Sequence, residues 1–180
     1  MKKILFILLQ LTLIVSLSSD AQELYMTAKG NSQGVFEGEV TRKGQEKKIE
    51  LRSYQFDLSY NNSGTIRLGN SRTTKSSFIF TKNFDFSSLN FFTALNNGEV
   101  LPVVTIEVFS PSSQANTGSG TMALLLRIEL NDVTVNSFRQ IVADDAPGNT
   151  NTTKPIDEIK LLYKTMKLTH VSKNVTVVGD

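Results

Sequence analysis

The chain has 180 residues, no cysteine, one histidine, and 19 basic against 17 acidic side chains, a net charge of +2. A metal centre built from Cys or several His is thereby excluded, and so are disulfides as a source of stability. A near-neutral domain gives no general electrostatic reason to bind nucleic acid or anionic lipid, so the chain must hold itself by core packing or by association with copies of itself.

At the start, Lys2 and Lys3 precede a mostly apolar run, Ile4 to Leu17, interrupted only by Gln10, Thr12 and Ser16. Ser19 and Ala21 then supply the small residues of a cleavage site, which is the pattern of a secretory signal. About 14 residues at ~1.5 Å rise cover roughly 21 Å, short of the ~30 Å hydrocarbon core, so residues 1–21 read as a signal peptide rather than a stable membrane anchor. The mature domain is then 22–180, and the loss of two lysines and one aspartate lowers the charge from +2 to +1. Export follows, to the periplasm or the outside.

Past the signal, short alternating runs separated by Gly, Asn and Ser predict a mainly β domain. Leu24 to Ala28 opens it as a first strand. Residues 30–48, punctuated by Gly30, Gly34, Gly38 and Gly44, predict a long loop or mobile hairpin. Ile49 and Leu51 share one parity, and Tyr54, Phe56, Leu58 and Tyr60 the other. One extra residue near Arg52-Ser53, such as a bulge, would turn both sets to the core. Phe78, Phe80, Phe84 and Phe86 predict a strand with an aromatic face.

There the period changes. Ser87-Ser88 reads as a helix cap, Leu89, Phe91, Phe92 and Leu95 as its apolar stripe, and Asn97-Gly98 as its stop. Val103 to Phe109 predicts a strand apolar on both faces, and Pro111 to Gly120 a turn. Met122 to Leu130 alternates strictly as a long strand, with Val133 and Val135 in another. Ala143 to Pro155 reads as a polar loop. From Ile156 to Met166 the residues fit a helix face and a strand equally well, and local patterning leaves that open.

Catalytic chemistry finds few carriers. His170 stands alone near the C-terminus, where solvent exposure is its ordinary fate. Asp144-Asp145 and Asp157-Glu158 lack the alternate oxygen ligands of a calcium loop and read as solvated. Without a second His no nucleophile triad can be assembled. Gly118 and Gly120 form a bare G-x-G in a turn, too little for a phosphate site. Arg42, Lys43, Lys47 and Lys48 form a basic cluster interrupted by Glu46, ordinarily a wet surface and otherwise a contact. Asn61, Asn151 and Asn174 begin glycosylation sequons. No catalytic residue, metal ligand or cofactor is predicted.

A series of short blocks, taken in order, carries a family likeness. Gln33-Gly34, Gly38, Val40-Thr41, Lys43-Gly44, Glu46 and Lys48-Ile49-Glu50 form the first block. Thr81-Lys82, Asp85, Ser87-Ser88, Ala94-Leu95, Asn97 and Glu99-Val100-Leu101 form the second and more specific one. Ile128 to Val135 around Asn131, Ser137 to Gln140, and Lys160 to Thr169 complete the set. In these the chain resembles the Hcp (haemolysin-coregulated protein) family, which builds the inner tube of type VI secretion systems.

The resemblance implies a compact β-barrel of two sheets with one flanking α-helix, and it turns the segment 160–169 towards β. It implies hexameric rings stacked into a tube, with secretion-apparatus spike and sheath proteins and small effector proteins in the lumen as partners. The family's ring-stacking loop falls here on Arg42, Lys43, Gly44, Gln45, Glu46 and Lys47. Two departures stand out. Family members normally lack a cleavable signal, and the aromatic pair of the family's second strand is represented here by Tyr54 and Phe56.

Three functions compete on this reading. The first is a structural ring and tube component. The second is a secreted or periplasmic ring-forming or surface-binding module outside any contractile machine, suggested by the signal. The third is a small-ligand-binding barrel, suggested by the aromatic face from Phe78 to Phe86.

Overall fold

A computed structural model describes residues 22–60, 73–75, 77–111, 122–142 and 154–179, and the following concerns those residues. The signal-like residues 1–21, the sequons at Asn61 and Asn151, Asp144-Asp145 and the G-x-G at Gly118 lie outside them.

Twelve strands and one α-helix follow in chain order, with a short 3-10 turn at Val171–Lys173. They are β1 Glu23–Gly30, β2 Gly34–Val35, β3 Ile49–Leu51, β4 Ser53–Gln55, β5 Leu58–Tyr60, β6 Thr73–Lys75, β7 Phe78–Asn83, α1 Phe86–Asn97, β8 Val100–Pro111, β9 Met122–Ile141, β10 Ile156–Leu162, β11 Thr165–His170 and β12 Val175–Gly179. Ten strands form one antiparallel array, and β5 and β6 pair separately. The class is the expected one: mainly β, with a single helix among the described residues.

β8 and β9 carry the array round a corner. They keep one register from Val100–Thr134 to Val108–Leu126. Within it Leu101 and Val104 are both buried, as are Leu130 and Val133. Residues three apart on a flat strand point to opposite faces, so both strands turn over together between these pairs, at Pro102 and Asp132. Asp132 takes a left-handed backbone, φ 51°. Beyond the corner β9 changes partner, from β11 (Leu126 to Asn131) to β10 (Thr134 to Ile141). The array therefore has two halves, β3-β1-β8-β9-β11-β12 and β8-β9-β10-β7-β4, in the manner of sheets joined at corners by shared strands.

The opposite side is bridged by the chain itself. β3 pairs with β1, β4 pairs with β7, and only Arg52 separates them; its N–H donates to the Thr81 carbonyl at 2.8 Å. The hydrogen-bond ladder does not close all round, so "barrel" describes the shape of the core and not a complete ladder. The parity change at 52–53 is this change of partner rather than a bulge. It turns Ile49, Leu51, Tyr54 and Phe56 towards the core as expected, while Leu58 is exposed.

Other expectations need correction. The aromatic face ends at Phe80: Phe84 lies past the strand and Phe86 begins the helix, both exposed, while Lys82 takes the third inward position. The helix is capped by Asp85, and Ser88 is the third residue of a capping box. Its inward residues are Ser87, Ser88, Phe91 and Ala94, so Leu89 and Phe92, expected in the buried stripe, face out. Val133 and Val135 continue the long strand instead of starting another, because the corner changes parity without breaking the ladder. Ile156 to Met166 is β, split into β10 and β11 at Tyr163-Lys164. Asp157 is not solvated but fully buried.

The core joins both halves through Met26, Ile49, Val104, Ile106, Ile128, Leu130, Ile159 and Leu161. Phe91 of α1 seals one end, its ring edge-to-face with Phe36 at 5.1 Å and Phe80 at 5.4 Å between centroids. Tyr54, Phe56 and Phe78 stack nearly parallel, 5.6 to 6.5 Å apart. Of the aromatic face that suggested a ligand barrel, Phe78 and Phe80 are core residues, while Phe84 and Phe86 are exposed outside the core.

Candidate functional site

The strand opposite β1 is interrupted. The Phe36 N–H donates to the Ala28 carbonyl at 3.0 Å, and Ile49 resumes the pairing opposite Met26, so residues 37–48 leave the sheet where β1 advances by only Thr27. They form an arm with its own hydrogen bonds: Gly38 N–H to Lys47 O at 2.8 Å, Lys47 N–H to Val40 O at 2.8 Å, and Gln45 N–H to Arg42 O at 2.9 Å. The Gly44 N–H donates to the Glu46 carboxylate at 2.8 Å, and Gly44 itself takes φ 85°. At Gly38 a Cβ would lie 2.2 Å from the Lys48 carbonyl oxygen, so the arm's root closes only around glycine.

The structure brings Arg42, Lys43, Gly44, Gln45, Glu46 and Lys47 together at this tip, as a hairpin-like arm with defined turns. It does not make them a basic patch. Arg42 pairs with Glu23, Lys47 with Glu37 at 3.0 Å, and Lys48 with Glu107 at 2.5 Å. Lys43 is exposed and is the arm's one cation without a partner among the described residues.

Glu107 anchors the arm to the sheet face, since Arg127 on β9 also reaches it at 3.0 Å. Burial works against its charge, but the Lys48 and Arg127 contacts outweigh that and hold its carboxyl below the usual range. The neighbouring β1–β2 turn is fixed by Glu99. Its oxygens accept from the Ser32 N–H (2.6 Å), the Gln33 N–H (3.0 Å) and Gln33 Nε2 (2.6 Å), and Gln33 also donates to the Asn90 carbonyl of α1. Here too burial opposes ionisation and the donors prevail, holding Glu99 below its ordinary value.

Behind the arm lies a buried polar network that sequence reading missed as a unit. Lys82, fully buried, donates to the Asn83 carbonyl (2.9 Å), Asp85 Oδ1 (2.7 Å) and Ser88 Oγ (2.8 Å). Ser88 donates to Asp157 Oδ2 at 2.5 Å, and Gln140 Nε2 donates to Asp157 Oδ1 at 3.0 Å. Lys82 and Asp157 are also direct partners across the β7–β10 ladder. Lys82, Asp85, Ser87 and Ser88 are the residues of the more specific sequence block, and their common task is to lock the helix start onto two strands.

A cleft of about 170 Å³ lies between Glu39, Val40, Glu50, Asn83 to Asp85 and Lys154. Among the described residues no three His, Cys, Asp or Glu side chains come together as metal ligands. His170 is half-buried at the end of β11 with Ser172 Oγ 3.3 Å from its Nδ1.

The fold is thus a corner-folded β domain with one capped α-helix and an internally hydrogen-bonded arm. A family model described as "Type VI secretion system effector, Hcp" matches residues 25–170. No curated protein matches the sequence. Among solved structures, an Hcp protein is similar at TM-score 0.76 and 16% identity, over 89% of this chain and 98% of that one. Hcp1 from E. coli EAEC 042 (a double tryptophan mutant) gives 0.73 and 19%, over 88% and 98%. The secreted protein Hcp3 of Pseudomonas aeruginosa gives 0.70 and 17%, over 89% and 98%. At such identities these structures show the fold. The family match spans most of the chain: it is a member of the Hcp family, the tube proteins of type VI secretion, which is a structural and not an enzyme family.

Proposed function

We propose that this chain is a ring-forming tube subunit without catalytic activity. Copies close into hexameric rings, and the arm from Arg42 to Lys47 reaches the neighbouring ring in the stack. The observation that carries the reading is the family match from 25 to 170, which includes the arm and the network behind it. The arm's geometry supports it. Turns and ion pairs fix its shape before any partner arrives, which lowers the ordering cost of docking, and they leave Lys43 free at the tip.

Spike and sheath proteins at the tube's ends and outside, and small effector proteins in the lumen, are the partners of such a subunit. Neither nucleic acid nor a membrane anchor enters the reading. Among the described residues no helix is long and apolar enough to cross a membrane. Electron microscopy of the mature domain from Gln22 tests the proposal. Stacked rings are expected for the wild type, and rings without stacks for Lys43→Glu; stacks unaffected by that change would remove the arm's role.

The signal-like segment 1–21 favours a second reading, in which the same ring-former is exported as a secreted or periplasmic surface-binding module. N-terminal sequencing of the native protein separates the two. A chain starting near Gln22 supports export, and an intact Met1 contradicts it.

A further inference from the structure

The β11–β12 hairpin runs beyond the protein's own core. In its ladder Val177 is opposite Leu168 and Val175 opposite His170. Directly paired residues share a face, and Leu168 packs on the core. The core-side face therefore continues through Val177 and Val175, which no described residue covers: they are 63% and 55% exposed. The other face of this hairpin is mixed: the Thr169 and Thr176 hydroxyls lie 3.1 Å apart, Lys167 pairs with Glu129 at 2.8 Å, and Val178, opposite Lys167, is exposed beside them. An uncovered edge strand of this kind is a place where a folded protein expects a partner.

A second uncovered apolar surface lies on α1. Its outward residues Phe86, Leu89 and Phe92 are 62%, 54% and 57% exposed, and the helix carries no charged side chain. The two patches sit apart on the fold. Leu168 meets β9 at Ile128 and Phe92 meets it at Phe138, ten residues on, ~33 Å of strand path. Neither patch contains a charge, so each satisfies the other without stranding an ion.

Resting on the self-assembly reading, we propose that the outer face of α1 in one copy covers the core-side valines of β12 in the next. A closed ring needs a head-to-tail contact between two different patches of the same chain, and these two supply it. Like patches pairing with like would give dimers.

Phe92→Asp and Val177→Asp test this by light scattering, with Leu89→Asp as an independent helix variant and circular dichroism confirming the fold. All three positions are exposed, so folding is expected to survive. Each variant alone is expected to be monomeric. An equimolar mixture of Phe92→Asp and Val177→Asp is expected to form a 1:1 heterodimer, because one intact α1 face and one intact β12 remain. Rings surviving both single changes, dimers of either variant alone, or a mixture that stays monomeric beside ring-forming wild type would overturn the contact. A wild type that never leaves the monomer would overturn the tube reading itself.

Discussion

Lys82 shows how much one side chain can hold. A buried ammonium is tolerable only when paired and fully hydrogen-bonded, and Asn83, Asp85, Ser88 and Asp157 meet that demand. Removing one member of a buried pair strands the other, which costs about 3–5 kcal/mol. Lys82→Met is expected to lose stability of that order in urea unfolding, with a good part regained in the double variant Lys82→Met/Asp157→Leu. A loss below ~1 kcal/mol in the single variant would show that Asp157 needs no cation. None of this was legible locally. Asp157 stands beside Glu158 and Lys160, the surroundings of a solvated residue, and only the ladder partner three strands of sequence away reveals its burial.

Glu99 gives the residue scale a pH dependence. Its carboxyl titrates below its ordinary 4.5, because the Gln33 and Ser32 donors outweigh the opposing effect of burial. A carboxyl depressed in the folded state contributes stability in full above the unfolded pKa and loses it as pH falls through the folded one. Wild type is therefore expected to exceed Glu99→Gln in urea midpoint at pH 6, with the gap closing below pH 4.5. A gap that does not change with pH would mean the carboxylate charge contributes nothing to the clamp.

At the scale of elements, periodicity located the helix and most strands but misassigned faces wherever polar groups are buried. The inward side of α1 contains Ser87 and Ser88, spent on Asp85, Lys82 and Asp157, and hydrophobicity alone placed Leu89 and Phe92 there instead. The parity change at Asp132 reads as a boundary between two strands, whereas in the fold only the face changes and β9 runs on from Met122 to Ile141. The arm was legible as a Gly-punctuated loop, yet its order was not, since that rests on contacts to Glu23 and Glu107 across the sheet. Gly38→Ala tests the arm as an element. With a Cβ 2.2 Å from the Lys48 carbonyl the root must open, so the Gly38-site and Lys47 amides are expected to lose hydrogen-exchange protection while β8 and β9 keep theirs. Retained protection at Lys47 would show that the root tolerates a side chain.

At the scale of the whole molecule, the fold buries one core through two sheet halves and leaves apolar surface on α1 and β12. In the proposed ring such surface is covered by copies of the same chain, a source of stability for a domain that has no disulfide. The class of fold was legible because alternation is strict from Met122 to Leu130 in β9. Which patches remain uncovered was not, because exposure is settled only once the halves close on each other.

Light scattering on the purified domain 22–180, over a range of concentrations, tests the central claim most directly. A molar mass close to a hexamer that persists on dilution is the predicted result. A protein that stays monomeric up to high concentration would contradict it.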